Sequence, residues 1–474
     1  MARAARRLRP PTPGRVRIAV IGGLAAGPSA ASAAKSAAPD ADVVLFEQGE
    51  HVSQGACEIP YYVADRLGGL DDLIVLTPDE LARSRGVEVY VRHRVTALDV
   101  RAGSLTVEAL EYGSTRVESF DRFILATGAR PRRLGVEGED AAGVFTVRDV
   151  ADAHAIKQWL ATEPVRHVVV VGGGYIGLDM AEAMCDRGLR ATILDPSGRV
   201  LATTLAAEAG GMLDEAVRGA GVAVRAETVT SFLQDDDGRV RAVRTDAGEI
   251  VGCQAVVVAV GVEPRTELAK AAGLAIGETG AVRVDDQMRT SARTVWACGD
   301  VVELTRVVDG RAVHWPLAPI GRRTARVAAR NALRRGGAPE RFAGVTGAVA
   351  VKAFGIEAAA VGLDEQAARE AGFDAAAVQI RHVSRTKVYP GSKPLDVRLV
   401  VERGTARLLG GQVVGPEGAA LRADVLVPLV RSGATARELA EDIDLVYNPP
   451  VAPAMDPLRV AAREAAKAAR GQSE

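Results

Sequence analysis

Short runs of unbroken apolar residues, each closed by glycines, recur along the chain. A run with no polar alternation predicts a strand buried on both faces of a parallel sheet. Arg17–Ile21 (RIAVI) leads into Gly22-Gly23-Leu24-Ala25-Ala26-Gly27, and an alanine-rich stretch then predicts a helix to about Ala38. A second run, Asp42–Phe46, ends on Glu47, 20 residues beyond Gly27. The unit recurs. His167–Val171 enters Gly172-Gly173-Gly174-Tyr175-Ile176-Gly177, an amphipathic segment follows to Arg187, and Ala191–Leu194 ends on Asp195. Three further strand-and-glycine fragments are Phe123–Pro131 (FILATGARP), Val256–Pro264 (VVVAVGVEP) and Thr294–Asp300 (TVWACGD). After residue 346 the pattern changes to short alternating strands, Val397–Glu402 and Leu408–Val414, and a helical Leu421–Ser432.

The spacing has a chemical meaning. The first glycine of such a unit permits a tight turn, the last lets helix and strand pack closely, and the helix N-terminus offers free N–H groups to a pyrophosphate. An acid ending the second strand accepts from a ribose hydroxyl. Gly172, Gly174 and Gly177 complete the GxGxxG pattern, whereas the first unit has Leu24 at the middle position. Two such units imply two dinucleotides, read as FAD and a nicotinamide cofactor. For FAD the candidates are Gly22, Gly23, Ala25, Ala26, Gly27, Glu47, Gln48, Thr127, Gly128 and Ala129, with Gly299 and Asp300 at the ribityl chain. For NADH or NADPH they are Gly172, Gly174, Tyr175, Ile176, Gly177, Asp195 and Gly261. Asp195 favours the free 2′-hydroxyl of NADH, while Arg190 and Arg199 keep NADPH open.

The fold class is therefore α/β: two dinucleotide-binding Rossmann-like domains plus a C-terminal α+β domain. The order of fragments predicts an FAD-binding domain at 15–150 and 278–345, an NAD(P)H-binding domain at 151–277, and a tightly docked last domain at 346–474. The stretch 1–14 is expected to be a disordered basic tail. Met1–Arg17 holds six arginines and no acid, without the apolar stretch of a secretory signal, so a cytoplasmic location is expected.

Composition narrows the function. Lys and Arg total 59 against 60 for Asp and Glu, which disfavours a nucleic-acid partner that would be held through phosphates. No apolar run approaches the roughly 20 residues that span a bilayer. Cys57, Cys185, Cys253 and Cys298 are scattered without metal-ligand spacing, so neither a metal nor a disulfide scaffold is expected.

Cys57 lies ten residues beyond Glu47, in Ser53-Gln54-Gly55-Ala56-Cys57-Glu58-Ile59-Pro60-Tyr61-Tyr62. A second cysteine five residues on would make a redox pair, but that position is Tyr62. Cys57 must therefore form a mixed disulfide with a substrate thiol or carry a sulfenate. A helix starting nearby would lower its pKa, and Glu58 would oppose this if it points inward. The other three cysteines read as small buried side chains.

Together these motifs resemble the coenzyme A disulfide reductase family of pyridine nucleotide–disulfide oxidoreductases, over essentially the whole chain after about residue 15. The resemblance adds Ser53 and Cys57 in an SxxxC pattern, Pro316-Leu317-Ala318-Pro319, Tyr389-Pro390-Gly391 and Tyr447-Asn448-Pro449-Pro450. It implies a homodimer in which Tyr389 and Tyr447 reach the partner's cysteine, and a helix after Pro319 whose N-terminus faces the flavin. Departures are Glu58 for the family's Gly, Gln54 for Phe, and Asp179 for the Glu near the nicotinamide. The first helix, moreover, keeps only Lys35 of the basic residues that hold coenzyme A phosphates, so coenzyme A disulfide is expected to be a poor substrate unless Arg66 or Arg322 substitutes. The expected function is FAD-dependent NAD(P)H reduction of a thiol-derived disulfide or persulfide, with Cys57, Glu58, Ser53, Tyr389 and Tyr447 at the reaction. Alternatives are an NADH oxidase or peroxidase cycling Cys57 sulfenate, reductive chemistry at a carbon–sulfur or activated carbon bond with Glu58 as acid, and a non-catalytic redox sensor.

Overall fold

Arg17–Ile21 is buried at all five positions, as an unbroken apolar run requires when both faces of a sheet are covered. In the computed structural model, which describes residues 12–471, this strand is central in a five-stranded parallel sheet. Most of the expected basic tail lies outside the described residues. Ile21 is level with Phe46 of strand Asp42–Phe46 on one side and with Leu125 of strand Arg122–Leu125 on the other. The chain thus leaves the central strand toward one side and returns on the other, opening a crevice at the carboxyl ends of the strands. A second five-stranded sheet repeats the plan. There His167–Val171 lies between Arg190–Leu194 and Ala255–Val258, with Val171 level with Leu194 and Val258.

Two chain crossings join these units. Ala129–Pro131 and Val262–Pro264 form an antiparallel ladder, with Val262 opposite Pro131 and Pro264 opposite Ala129. Arg130 on this ladder pairs with Glu263 at 2.6 Å and also with Glu267.

The last region is a five-stranded antiparallel sheet, ordered Ala348–Ala353, Ile356–Gly362, Leu408–Gly415, Pro394–Glu402, Ala375–Val383. Helices Ala419–Ser432 and Pro457–Ala469 pack on it. It docks tightly on the second nucleotide unit. Buried Gln412 accepts from the Ala206 N–H at 3.0 Å and donates to Thr204 O at 3.2 Å. The α/β class with a separate α+β sheet matches the sequence reading. Among the described residues no helix is long and apolar enough to cross a membrane.

Candidate active site

Both glycine turns solve one packing problem in the same way. The Gly22 N–H donates to Phe46 O at 2.8 Å, its φ is +109°, and a Cβ there would stand 2.1 Å from Ala126 O. A Cβ on Gly27 would stand 1.7 Å from Gly22 O. In the second unit the Gly172 N–H donates to Leu194 O at 2.8 Å, and Cβ atoms on Gly172 and Gly177 would meet Ala259 O at 2.5 Å and Gly172 O at 2.0 Å. These contacts are with backbone, so only glycine lets the helix approach. The terminal acids are tied back to the turns. The Gly23 N–H donates to Glu47 Oε2 at 2.5 Å, and the Gly173 N–H to Asp195 Oδ2 at 2.8 Å. Because residue 23 makes that bond, Leu24 at the middle position leaves it intact.

The residues present fit two dinucleotides. Helices Ala26–Ala37 and Tyr175–Asp186 have no side-chain cap, which leaves their first N–H groups facing the crevices. On the flavin side, the Nε atoms of Arg148 and Arg265 are buried without a partner. Arg148 Nη2 lies 3.2 Å from Asp300 Oδ2, and Arg265 acts electrostatically on Glu47. Gly299, with φ +77°, donates its N–H to Thr324 Oγ1 at 3.1 Å, and a Cβ there would lie 2.6 Å from Ala26 Cβ. The Asp300 turn is thereby pressed against the first helix. Thr127 donates to Arg265 O at 2.8 Å, and a Cβ on Gly128 would lie 3.2 Å from Arg148 Nη2. Ala129 opens the inter-unit ladder, and Gln48 is exposed. Pro316 and Leu317 lead into the uncapped helix Ala318–Ala332. On the nicotinamide side, Gly261 turns with φ +99° and the Tyr175 hydroxyl meets Thr204 Oγ1 at 2.8 Å.

The cysteine turn is sewn to this frame through its backbone. The Ser53 N–H donates to Gly23 O and the Val75 N–H to Ser53 O, both at 2.8 Å, with Ser53 in the left-handed region at φ +54°. Gln54 Oε1 accepts from the Val150 N–H at 2.9 Å, which holds the Arg148 segment against the turn. Cys57 sits in a single turn, Ala56–Glu58, ahead of the five-residue helix Ile59–Val63. The Glu58 carboxylate folds back over Gly55, where a Cβ would be 2.5 Å from Oε2.

Of the four cysteines only Cys57 is exposed. Cys253 and Cys298 are buried, and burial pushes both thiols up to about 12. Of the two opposing influences expected on Cys57, the helix and Glu58, the raising one prevails. Although its surface opens to solvent, lost hydration pushes the thiol up, and Glu58, Asp179 and Asp300 add to this while Arg148 opposes. The helix that follows is too short to offset three acids. Asp179, on helix Tyr175–Asp186, has a buried Oδ1 without a partner. Burial and then Glu182 push its carboxyl up to about 7, against the pull of Arg66.

Several cations named from the sequence are already engaged. Arg66 pairs with Glu182 at 3.5 Å and Asp186 at 2.6 Å, and Lys35 Nζ donates to Pro39 O and Ala41 O, each at 2.9 Å. Arg199 donates to Leu205 O at 2.8 Å and Ala202 O at 3.1 Å. Arg190 begins the strand that Asp195 follows, so it stands at the opposite end of that strand, against His167 Nδ1 at 3.1 Å. Arg190 is therefore remote from Asp195, whereas Arg199 acts on that carboxylate electrostatically. Arg322 is exposed.

Tyr389 and Tyr447 lie on exposed loops of the last region, adjacent through a Thr386 N–H to Pro449 O bond of 3.3 Å. Among the described residues no hydrogen bond or ion pair joins either loop to the Cys57 turn of the same chain. Sequence reasoning missed Arg148 and Arg265, whose buried Nε atoms have no partner in the flavin crevice.

Comparison with known proteins agrees with this geometry. The family model described as pyridine nucleotide-disulphide oxidoreductase matches residues 16–330, and its dimerisation domain matches 349–459. The chain is 37% identical over 447 residues to an NAD(P)H coenzyme A polysulfide/persulfide reductase of Pyrococcus horikoshii, covering 94% of this chain and 98% of that one. It is 27% identical to a coenzyme A disulfide reductase of Staphylococcus aureus, covering 92% and 96%. The solved structure of an NAD-dependent persulfide reductase from A. fulgidus superposes with a TM-score of 0.92 at 34% identity, covering 96% of this chain and 84% of that one.

Proposed function

The chain belongs to the pyridine nucleotide-disulphide oxidoreductases, and from that premise we propose that it reduces a thiol-derived persulfide, polysulfide or disulfide at Cys57. The observation that carries this is the one exposed thiol of the chain, set in a turn bonded to the flavin glycine loop and electrostatically coupled to Arg148 and Asp300. Gly22, Gly23, Ala25, Ala26, Gly27, Glu47 and Asp300 would hold FAD, and Gly172, Gly174, Gly177 and Asp195 would hold NAD(P)H. When bound, the pair delivers two electrons from the nicotinamide to the cysteine side.

The chain's own residues handle the sulfur and the protons. The Cys57 thiolate attacks one sulfur of the substrate, the S–S bond breaks, and the departing sulfur leaves as thiolate and takes up a proton. The proton lost by the Cys57 thiol on ionising can serve that departing thiolate, and two electrons with two further protons return the resulting mixed disulfide to free thiol and the Cys57 thiol. Lost hydration first, and then Glu58 and Asp179, favour the protonated thiol, and Arg148 is the cation that favours its ionised form. Ser53 is a positioning residue, through its backbone bond to Gly23.

Two copies pair through the dimerisation domain, and Tyr389 and Tyr447 from the partner copy orient or protonate the leaving thiolate. The FAD domain takes 15–131 with 262–345 and the NAD(P)H domain 132–261, which moves the expected boundaries near 150 and 277, because Val144–Phe145 pairs within the second sheet while Ala269 and Leu274 pack in the core of the first; 346–474 serves pairing. Four free cysteines suit a reducing compartment such as the cytoplasm.

The test is anaerobic. Cys57→Ser should purify with flavin and still be bleached by NADH, yet lose at least about a thousandfold in persulfide and disulfide turnover. Undiminished turnover in that variant would overturn the reading, and reoxidation of wild type by oxygen or peroxide faster than by any sulfur substrate would favour the oxidase alternative.

A further inference from the structure

The loops carrying Tyr389 and Tyr447 lie far apart in sequence and are each solvent-exposed, at 39% and 57% for the two tyrosines, with Val388 and Val446 beside them more exposed still. Their tips are joined by the single Thr386 to Pro449 bond. The bases of the loops, in contrast, converge on one buried guanidinium. Arg422, on helix Ala419–Ser432, is 8% exposed. Its Nε donates to Asp456 Oδ2 at 3.0 Å, Nη2 donates to Ser384 O at 2.9 Å, and Nη1 donates to Gly418 O at 3.2 Å.

Ser384 is the root of the Tyr389 loop, which it closes with a backbone bond to Lys393 O at 2.8 Å and by accepting the Lys393 N–H on Oγ at 3.0 Å. Glu417 holds the same root by accepting from Ser384 Oγ at 2.5 Å and from Arg385 Nε at 2.9 Å. Asp456 is the end of the Tyr447 loop, and its other oxygen caps helix Pro457–Ala469 by accepting from the Leu458 N–H at 2.9 Å.

We propose that Arg422 and Asp456 form a clamp that presents Tyr389 and Tyr447 together to the sulfur site, as positioning residues for its chemistry. The proposal rests on the reading above that these tyrosines act at Cys57. A buried ion pair is a weak source of stability, since well-packed apolar side chains replace it at little cost, so its value here is geometric. A planar fork reaches three acceptors in fixed directions, and the ammonium of lysine cannot. The guanidinium therefore sets the separation of the two loop roots and hence the relation of the two hydroxyls.

The experiment compares Arg422→Lys, Asp456→Asn and the double variant Tyr389→Phe, Tyr447→Phe in the flavin-loaded dimer, using anaerobic NADH bleaching and turnover of a persulfide and of a disulfide. Arg422→Lys is expected to bleach within about twofold of wild type and to lose at least about tenfold in kcat, with KM moved less than about threefold. Added to the double tyrosine variant it should cost less than about twofold more, because both changes remove one function. A dimeric Arg422→Lys with kcat within about twofold of wild type, while the tyrosine variant is impaired, overturns the clamp alone. Full turnover in the tyrosine variant overturns the underlying reading and the clamp with it. If Arg422→Lys fails to assemble, Asp456→Asn, which keeps the helix-capping oxygen, carries the same comparison; failure of both to assemble shows the pair to be structural and the proposal wrong.

Discussion

Preference between NADH and NADPH follows from one carboxylate. Asp195 accepts from the Gly173 N–H at 2.8 Å, from the Ser197 N–H at 2.9 Å and from the Ser197 hydroxyl at 2.5 Å. Burial alone would raise its carboxyl, but these donors outweigh it and hold the group below the usual carboxylate range, so it is ionised at neutral pH. A 2′-phosphate bound there would bring negative charge to within about 4 Å, and at an effective permittivity near 20 each unit of charge costs about 4 kcal/mol. Solvent and salt at this half-open edge reduce the penalty to about 1–3 kcal/mol, or a preference for NADH of about ten- to a hundredfold. Arg190 stands at the far end of the strand, and Arg199, which also acts on Asp195 electrostatically, is held by backbone carbonyls and offsets only part of this penalty. Asp195→Asn keeps an acceptor for Gly173 while deleting the charge, and should narrow the ratio of kcat/KM for the two cofactors by about tenfold. The assay is the anaerobic rate of flavin bleaching by each cofactor at low and high ionic strength. The gap should shrink with salt in the wild type and barely move in the variant. Equal use of both cofactors by the wild type, or an unchanged ratio in Asp195→Asn, would refute the reasoning.

Three further outcomes are expected. Removing the charge of Glu58 by Glu58→Gln takes away a neighbour that raises the Cys57 thiol, so the rise of sulfur turnover with pH should move to lower pH; an unmoved or alkaline-shifted profile contradicts that role. Asp179 keeps a proton to about pH 7 in the folded chain that an unfolded chain releases near its ordinary value of 3.8. Folding is unpenalised below that value and progressively penalised as pH rises toward 7, by up to about 4 kcal/mol. Asp179→Asn should thus raise the thermal midpoint more at pH 8 than at pH 5, and an equal shift at both would show that no buried proton is involved. Coenzyme A disulfide should be turned over with kcat/KM below about 10⁵ M⁻¹s⁻¹, because Lys35 and Arg66 are committed to partners within the chain; steady-state kinetics with a smaller disulfide as reference decides it.

The glycine turns, their acids and Cys57 were legible because each is encoded within about 30 residues by steric demands that few residue types meet. The electrostatics of the site were not. The bond from Gln54 to Val150, the Arg148–Asp300 pair and the Arg422–Asp456 pair span 96, 152 and 34 residues, and no periodicity marks either end. Arg190 shows the converse error: proximity in sequence to Asp195 counted as proximity in space, although a strand of five residues separates the two by about 16 Å. The Cys57 thiol likewise answers to acids brought in from two other segments, and the adjacent turn of helix could not reveal them.

The ladder of Ala129–Pro131 with Val262–Pro264 gives the enzyme a modular character. The intervening nucleotide unit departs and re-enters through paired neighbouring strands, so its two ends meet at one seam clasped by Arg130. A unit whose ends meet can be exchanged as a cassette without stretching its host, as insertions succeed where entry and exit lie together. Grafting a foreign nicotinamide unit between residues 131 and 262 would recast cofactor choice while leaving the flavin crevice, the cysteine turn and the pairing sheet in place. Such a seam is a route by which an enzyme of this build changes its electron donor without relearning its sulfur chemistry.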